Sequence, residues 1–246
     1  MAGVVVLDVA DDIRARLGEP TVSALAQRFD PAGRCLTCGT TFGAVPLSVR
    51  AYHGLDGVTT LIAYHADCAA SAWLAIGPGI LPGQENWAAA VTSAQVRMAE
   101  RRALHQLRGP GTQDLVMPVM LVHPSLDRTR ARQVGPGEAV NADVEDYNGL
   151  GFADPGTAPA ACPLRPAGRA RILQSGDDAR LEATVAGQSW SAPASGPDVT
   201  LAAGRGGIVV GITCDGDPGR LAADPAQLEY VITTGGILLG WAPLRG

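Results

Sequence analysis

The chain has 246 residues, enough for one large domain or two modest ones, and its 46% hydrophobic content supports a real core. No apolar run approaches the length of a membrane-spanning helix, and a net charge of −5 gives no global preference for nucleic acid. All 19 basic residues are Arg, which together with abundant Ala, Gly and Pro matches a GC-rich coding bias.

The N-terminus, Met1-Ala-Gly-Val-Val-Val-Leu-Asp8, has no basic segment and meets acids early, so a signal peptide is not expected and a cytoplasmic location is. Asp11–Leu17 and Val22–Phe29 each read as a short helix. Asp11 and Thr21 are the candidate N-caps, and Gly18 is a stop between them. The two helices are expected to pack on the segment that follows and enlarge its small core.

That segment carries the chemistry. Cys35-Leu-Thr-Cys38 is followed, after 26 residues, by His65-Ala-Asp-Cys68. Three thiols and one imidazole, paired across two-residue gaps, can close a tetrahedral Zn²⁺ shell. Four protein ligands leave no open position, which favours a structural over a catalytic ion. Gly39 lets the backbone turn so that amides face the thiolates. The alternatives are buried free cysteines with a core histidine, or a Cys35–Cys38 disulfide. His53 is a nearby imidazole expected in a turn, not on the metal.

Between the ligand pairs, Leu47–Tyr52 and Val58–Tyr64 flank an Asp56-Gly57 turn and predict a hairpin. Residues 65–75 read as a helix with the second ligand pair in its first turn. Knuckle, hairpin and helix together resemble a treble-clef zinc finger over residues 31–76, similar to a single LIM-type zinc module. The spacer is longer than in LIM modules, and a second zinc module is absent. The resemblance implies that Cys35, Cys38, His65 and Cys68 are zinc ligands.

Residues 76–83 form a Gly/Pro-rich connector. Asn86 is placed to cap a helix running to Leu107, with Trp87, Val91, Ala94 and Met98 on one face. Arg97, Arg101, His105 and Arg108 fall on one stripe of that helix. This is either a phosphate-contacting face or a solvated one with cations near the helix C-terminus. Residues 97–132 hold seven arginines and three acids, a net +4 in a chain whose remainder is −9, which hints at an acidic partner.

The remainder reads as β-rich. Candidate strands are 115–123, 169–174, 180–186, 208–214 and 230–241, separated by turns at 175–178, 193–207 and 215–218, with residues 135–168 as a long surface loop. The expected architecture is α+β: a treble-clef zinc domain over 1–84, a connecting helix over 85–111 and a β-rich barrel or sandwich over 112–246.

No nucleophile elbow, phosphate loop or dinucleotide fingerprint is present. His123, Ser125 and the acids Asp143, Glu145 and Asp146 are the residues an active site would have to bring together. Asp215-Gly-Asp217 is a second acidic pair without EF-hand spacing. Cys214 reads as core and Cys162 as exposed in a Pro-rich loop. The preferred function is a non-catalytic zinc-binding interaction protein whose partner is a protein or a nucleic acid. Arg97, Arg101 and Arg108 are candidate contacts. The alternatives are an enzyme with a pocket in the β-rich half, or a subunit of a larger assembly.

Overall fold

The computed structural model describes residues 6–75, 87–99, 112–126, 128–153, 162–176, 178–213, 217–234 and 236–245. They fall into two compact units, Met1–Trp87 with Pro124–Glu145, and Ala88–His123 with Asp146–Gly246. The contacts thus cut the chain at other points than the compositional breaks near 84 and 111. Both units mix helix and strand, with strand predominant. No helix among the described residues is long and apolar enough to cross a membrane.

The first unit is built on a sheet of β1 (Leu7–Asp8), β2 (Leu47–His53), β3 (Val58–His65), β7 (Arg128–Gly135) and β8 (Glu138–Asn141), in that order. β4 (Ala72–Ala75) runs parallel to the second half of β2, on the same edge as β1. The expected hairpin is present: β2 and β3 are antiparallel, with Leu47 opposite His65 and His53 opposite Thr59. Every residue from Val58 to Tyr64 is buried, so β3 reads as a continuous rather than an alternating strand.

Two helices pack on this sheet. α1 (Asp11–Leu17) has Asp11 and Asp12 in its first turn, where they complement the helix dipole. Its Ile13 and Leu17 join Val22, Leu25 and Phe29 of the next segment in a core against Val49, Leu61 and Ala63. Neither expected side-chain cap forms. Ala10 precedes α1, and α2 (Glu19–Arg28) begins two residues before Thr21, because Pro20 is suited to a first helical turn. The chain turns between the helices at Gly18, φ +79°. There a Cβ would lie 1.9 Å from the Gly137 carbonyl oxygen.

In the second unit β5 (Ala88–Ala99) and β6 (Thr112–His123) form a long antiparallel hairpin. β12 (Gly207–Thr213) lies parallel to β6, and β13 (Ile237–Pro243) lies antiparallel to β12. This four-stranded sheet is open, with β13 and β5 at its ends. A separate antiparallel sheet holds β9 (Arg169–Ser175), β10 (Asp178–Val185) and β11 (Gln188–Pro193). α3 (Ala142–Gly149) spans the division between the units, and α4 (Gly196–Arg205), α5 (Pro218–Ala223) and α6 (Pro225–Thr234) belong to the second. α5 packs on β5 and β6. Leu221, Leu228 and Ile232 from α5 and α6 close the core over Val96, Met117, Val119 and Leu121.

Several expectations are corrected. Residues 88–99 are strand, not connecting helix; residues 85–86 and 100–111, with Arg101, His105 and Arg108, lie outside the described residues. Val96 and Met98 are buried while Gln95 and Arg97 are exposed, a two-residue period that long-range pairing with β6 imposes. Residues 65–75 are not a helix but the end of β3, a turn and β4. Pairing of Ala72–Ala75 with β2 replaces helical bonds there, and the Ser71 hydroxyl, bonded to Val49 O and Ala10 N, fixes the entry.

Residues 230–234 are helical despite their β-branched run. The Asp224 carboxylate accepts from Gln227 N, Leu228 and Ile232 bury one helical stripe, and the Thr233 and Thr234 hydroxyls bond back to Tyr230 O. The 193–207 turn contains α4, capped reciprocally by Ser195 and Asp198. Within 135–168, β8 and α3 replace the expected loop; residues 154–161 lie outside the described residues. The second unit is therefore mixed helix and strand, mostly strand, with its four-stranded and three-stranded sheets in contact through β11 with β5 and β9 with β13.

Gly18→Ala adds a side chain where φ is positive and the Gly137 backbone leaves no room. It is expected to destabilise the first unit by more than about 2 kcal/mol, read as a lowered urea midpoint.

Candidate metal centre

The first ligand pair sits on a small loop between α2 and β2. Arg34 and Thr41 bridge across it, Cys35 N donates to Thr40 O at 3.0 Å and Gly39 N to Cys35 O at 2.8 Å. Gly39 takes φ +74°, the left-handed conformation this tight turn needs. Phe42 fills the base of the loop, fully buried, and its ring meets His65 edge-on at 5.7 Å. Gly33 admits that ring, since a Cβ there would lie 2.7 Å from it.

The second pair straddles the exit from β3. His65 is the last residue of the strand, and Cys68 N and Ala69 N both donate to its carbonyl at 2.9 and 3.3 Å. Ser48 Oγ holds Ala69 O, tying the turn back to β2. Because Leu47 faces His65 in the ladder, the strand that follows the first loop begins where the strand that precedes the second turn ends. The two turns are therefore neighbours in space.

One ligand atom from each of Cys35, Cys38, His65 and Cys68 lies within 4.8 Å of the other three. Cys38 Sγ is 3.3 Å and Cys68 Sγ 4.0 Å from His65 Nδ1. In a tetrahedral shell with Zn–S of about 2.3 Å and Zn–N of about 2.0–2.1 Å, donors stand about 3.6–3.8 Å apart. The observed separations bracket that spacing. His65 Nε2 is 3.1 Å from Thr41 O. A carbonyl only accepts, so Nε2 carries the proton and the Nδ1 lone pair faces the sulfurs. This is the tautomer a metal-ligating imidazole needs, held by an outer partner. The four residues are thus compatible with a Cys3His metal site.

The thiols differ. Hydrogen bonds from the Thr40 side chain and backbone lower the Cys38 pKa to about 6, with smaller help from His65 and Cys68. Loss of solvation, then the neighbouring thiols Cys38 and Cys35, raise Cys68 to about 11. Cys35 is fully buried and Cys38 is exposed, so the centre is anchored on one side and open to solvent on the other.

His53 is not part of the cluster: its Nδ1 lies 2.9 Å from Thr59 Oγ1 and its ring stacks on Trp73 at 5.4 Å. Arg97 pairs with Asp114 across the β5–β6 hairpin at 3.1 Å; Arg101 and Arg108 lie outside the described residues. Arg130 and Arg132 on β7 pair with Asp143 and Glu145 at 3.6 and 2.9 Å. Two arginines of the +4 segment, Arg130 and Arg132, are thus balanced by acids outside it. Those pairs also occupy two of the acids that an active site would have used. His123 is buried at the end of β6. Asp217 caps α5 by accepting from Gly219 N; Asp215 and Cys214 lie outside the described residues.

Cys162 is buried, not exposed. It pairs in parallel with Met98, its N–H meeting Arg97 O at 2.7 Å, and burial pushes its thiol up to about 12. The residues that sequence reasoning missed are Thr40, Thr41 and Phe42, which support the ligands. The run Gly39-Thr-Thr-Phe42 carries no spacing signal that would have marked them. Compared with protein-family models, curated proteins and solved structures, the chain matches none.

Stripped of metal at pH 7, the protein is expected to react with iodoacetamide first at Cys38, which sits above its pKa of about 6. Cys68, well below its own of about 11, reacts only as the pH rises. Peptide mass spectrometry across pH 6–10 checks the order, and added metal protects both.

Proposed function

We propose that this chain is a zinc-binding interaction protein in which a structural Cys3His site, formed by Cys35, Cys38, His65 and Cys68, holds the surface that a partner protein reads. The observation that carries this is the convergence of four donor atoms from two short turns, with the imidazole tautomer already set by Thr41. Three thiolates and an imidazole are a soft, borderline set suited to zinc, and four protein ligands close the shell against a substrate. Zinc then contributes folding free energy by joining a loop and a strand end that share few other bonds.

The choice of partner rests on charge. From Cys35 to Val49 the chain has no charged residue, and much of this stretch is exposed, Val45 by 49%. A neutral, partly apolar rim suits a protein surface better than a phosphate backbone, which is held by unpaired Arg and Lys. The arginines placed by the structure on β5 and β7 support this, because Arg97, Arg130 and Arg132 face acids of their own chain.

Purified protein is expected to carry one zinc per chain by mass spectrometry. Cys38→Ser and Cys68→Ser lose it, and with it the slow amide exchange of β2 and β3, while β12 and β13 keep theirs. Full metal content and native stability in both variants would reject the assignment. Zinc-loaded protein is expected not to bind double-stranded DNA, single-stranded DNA or RNA at low salt. Binding that weakens steeply with salt and falls in Arg97→Ala with Arg101→Ala would make nucleic acid the partner instead.

A further inference from the structure

The second unit contains a cavity of about 480 Å³, in the size range of small-molecule sites. It opens over the sheet face that carries Met98, Leu115 and Met117, beyond the part covered by Leu221, Leu228 and Ile232. Leu164 and Trp241 form further apolar walls. Trp241 lies directly against the backbone of Gly207: a Cβ there would be 2.5 Å from the indole. Missing side-chain bulk at Gly207 therefore seats the wall.

One polar feature sets the sign of a ligand. Among the described residues that line the cavity, Arg205 is the one charged side chain and none is acidic. Its Nε–H donates to Val116 O at 3.2 Å, its one hydrogen bond among the described residues. That bond fixes the guanidinium plane and leaves the terminal N–H groups for another acceptor. Gln113 adds an amide at the same rim. A planar, permanently charged fork at the exposed edge of a cleft walled in part by Met98, Met117 and Trp241 matches a carboxylate carried on an apolar body.

We propose that this cavity is a binding site for a small carboxylate with an aliphatic or aromatic body, its carboxylate on Arg205 and its apolar part against Met98, Met117 and Trp241. The site is separate from the metal centre and does not depend on it. Decanoate, decanol and decyltrimethylammonium are titrated into the full chain by calorimetry. Decanoate is expected to bind saturably, one per chain, about tenfold or more tighter than decanol, with decyltrimethylammonium weakest. Arg205→Gln brings decanoate down to the level of decanol. Gly204→Trp blocks both ligands, and it is expected to fold, because a Cβ at Gly204 meets nothing within 4 Å. No saturable binding of decanoate, equal binding of all three probes, a ratio unchanged in Arg205→Gln, or binding unaffected by Gly204→Trp would each overturn the proposal.

Discussion

The Cys3His cluster depends on the register of one strand pair. Leu47 stands opposite His65 at the end of the β2–β3 ladder, so the loop that enters β2 and the turn that leaves β3 meet at the same edge. A slip of one residue would turn His65 to the other face and carry its Nδ1 away from Cys35 and Cys38. Close packing on both faces of β3 between Val58 and Tyr64 resists such a slip, because swapping the faces would misfit side chains of different size against their neighbours. The small polar site is thus positioned by hydrophobic burial some residues away from it.

Within the cluster the thiols are a source of conflict that a bound divalent ion would remove. Three sulfurs crowd about one imidazole, and the contrast between Cys38 and Cys68 shows the conflict: hydrogen bonding ionises one while loss of solvation and neighbouring thiols keep the other protonated. A cation satisfies all four donors at once and couples their ionisation to folding. The helices α1 and α2 supply the apolar cover that a loop and hairpin alone lack, through Ile13, Leu17, Leu25 and Phe29.

The second unit solves its packing differently. Two 12-residue strands, β5 and β6, pair along their full length and offer a broad apolar face. Among the described residues, short helices cover part of that face with Leu221, Leu228 and Ile232, and the cavity beside Trp241 and Arg205 lies next to them.

The sequence by itself marked the four residues that cluster, Cys35, Cys38, His65 and Cys68, with the hairpin between the two pairs, the first helix and most strands of the second unit. These signals are local: two-residue gaps between metal donors, apolar runs bounded by Gly and Asp, and a Gly stop after Leu17. It could not determine residues 65–75 or 88–99, whose Ala-rich, weakly patterned runs are compatible with helix or strand. Tertiary structure decided them by offering a partner, β2 for Ala72–Ala75 and β6 for Ala88–Ala99, whose ladder bonds replace helical ones. The same holds in reverse for Tyr230–Thr234, where β-branched residues joined a helix because Leu228 and Ile232 find a core on one side. The support that Thr41 gives His65, and the apposition of Arg205 with Trp241, exist only in the folded chain, since each joins residues that no short-range pattern links.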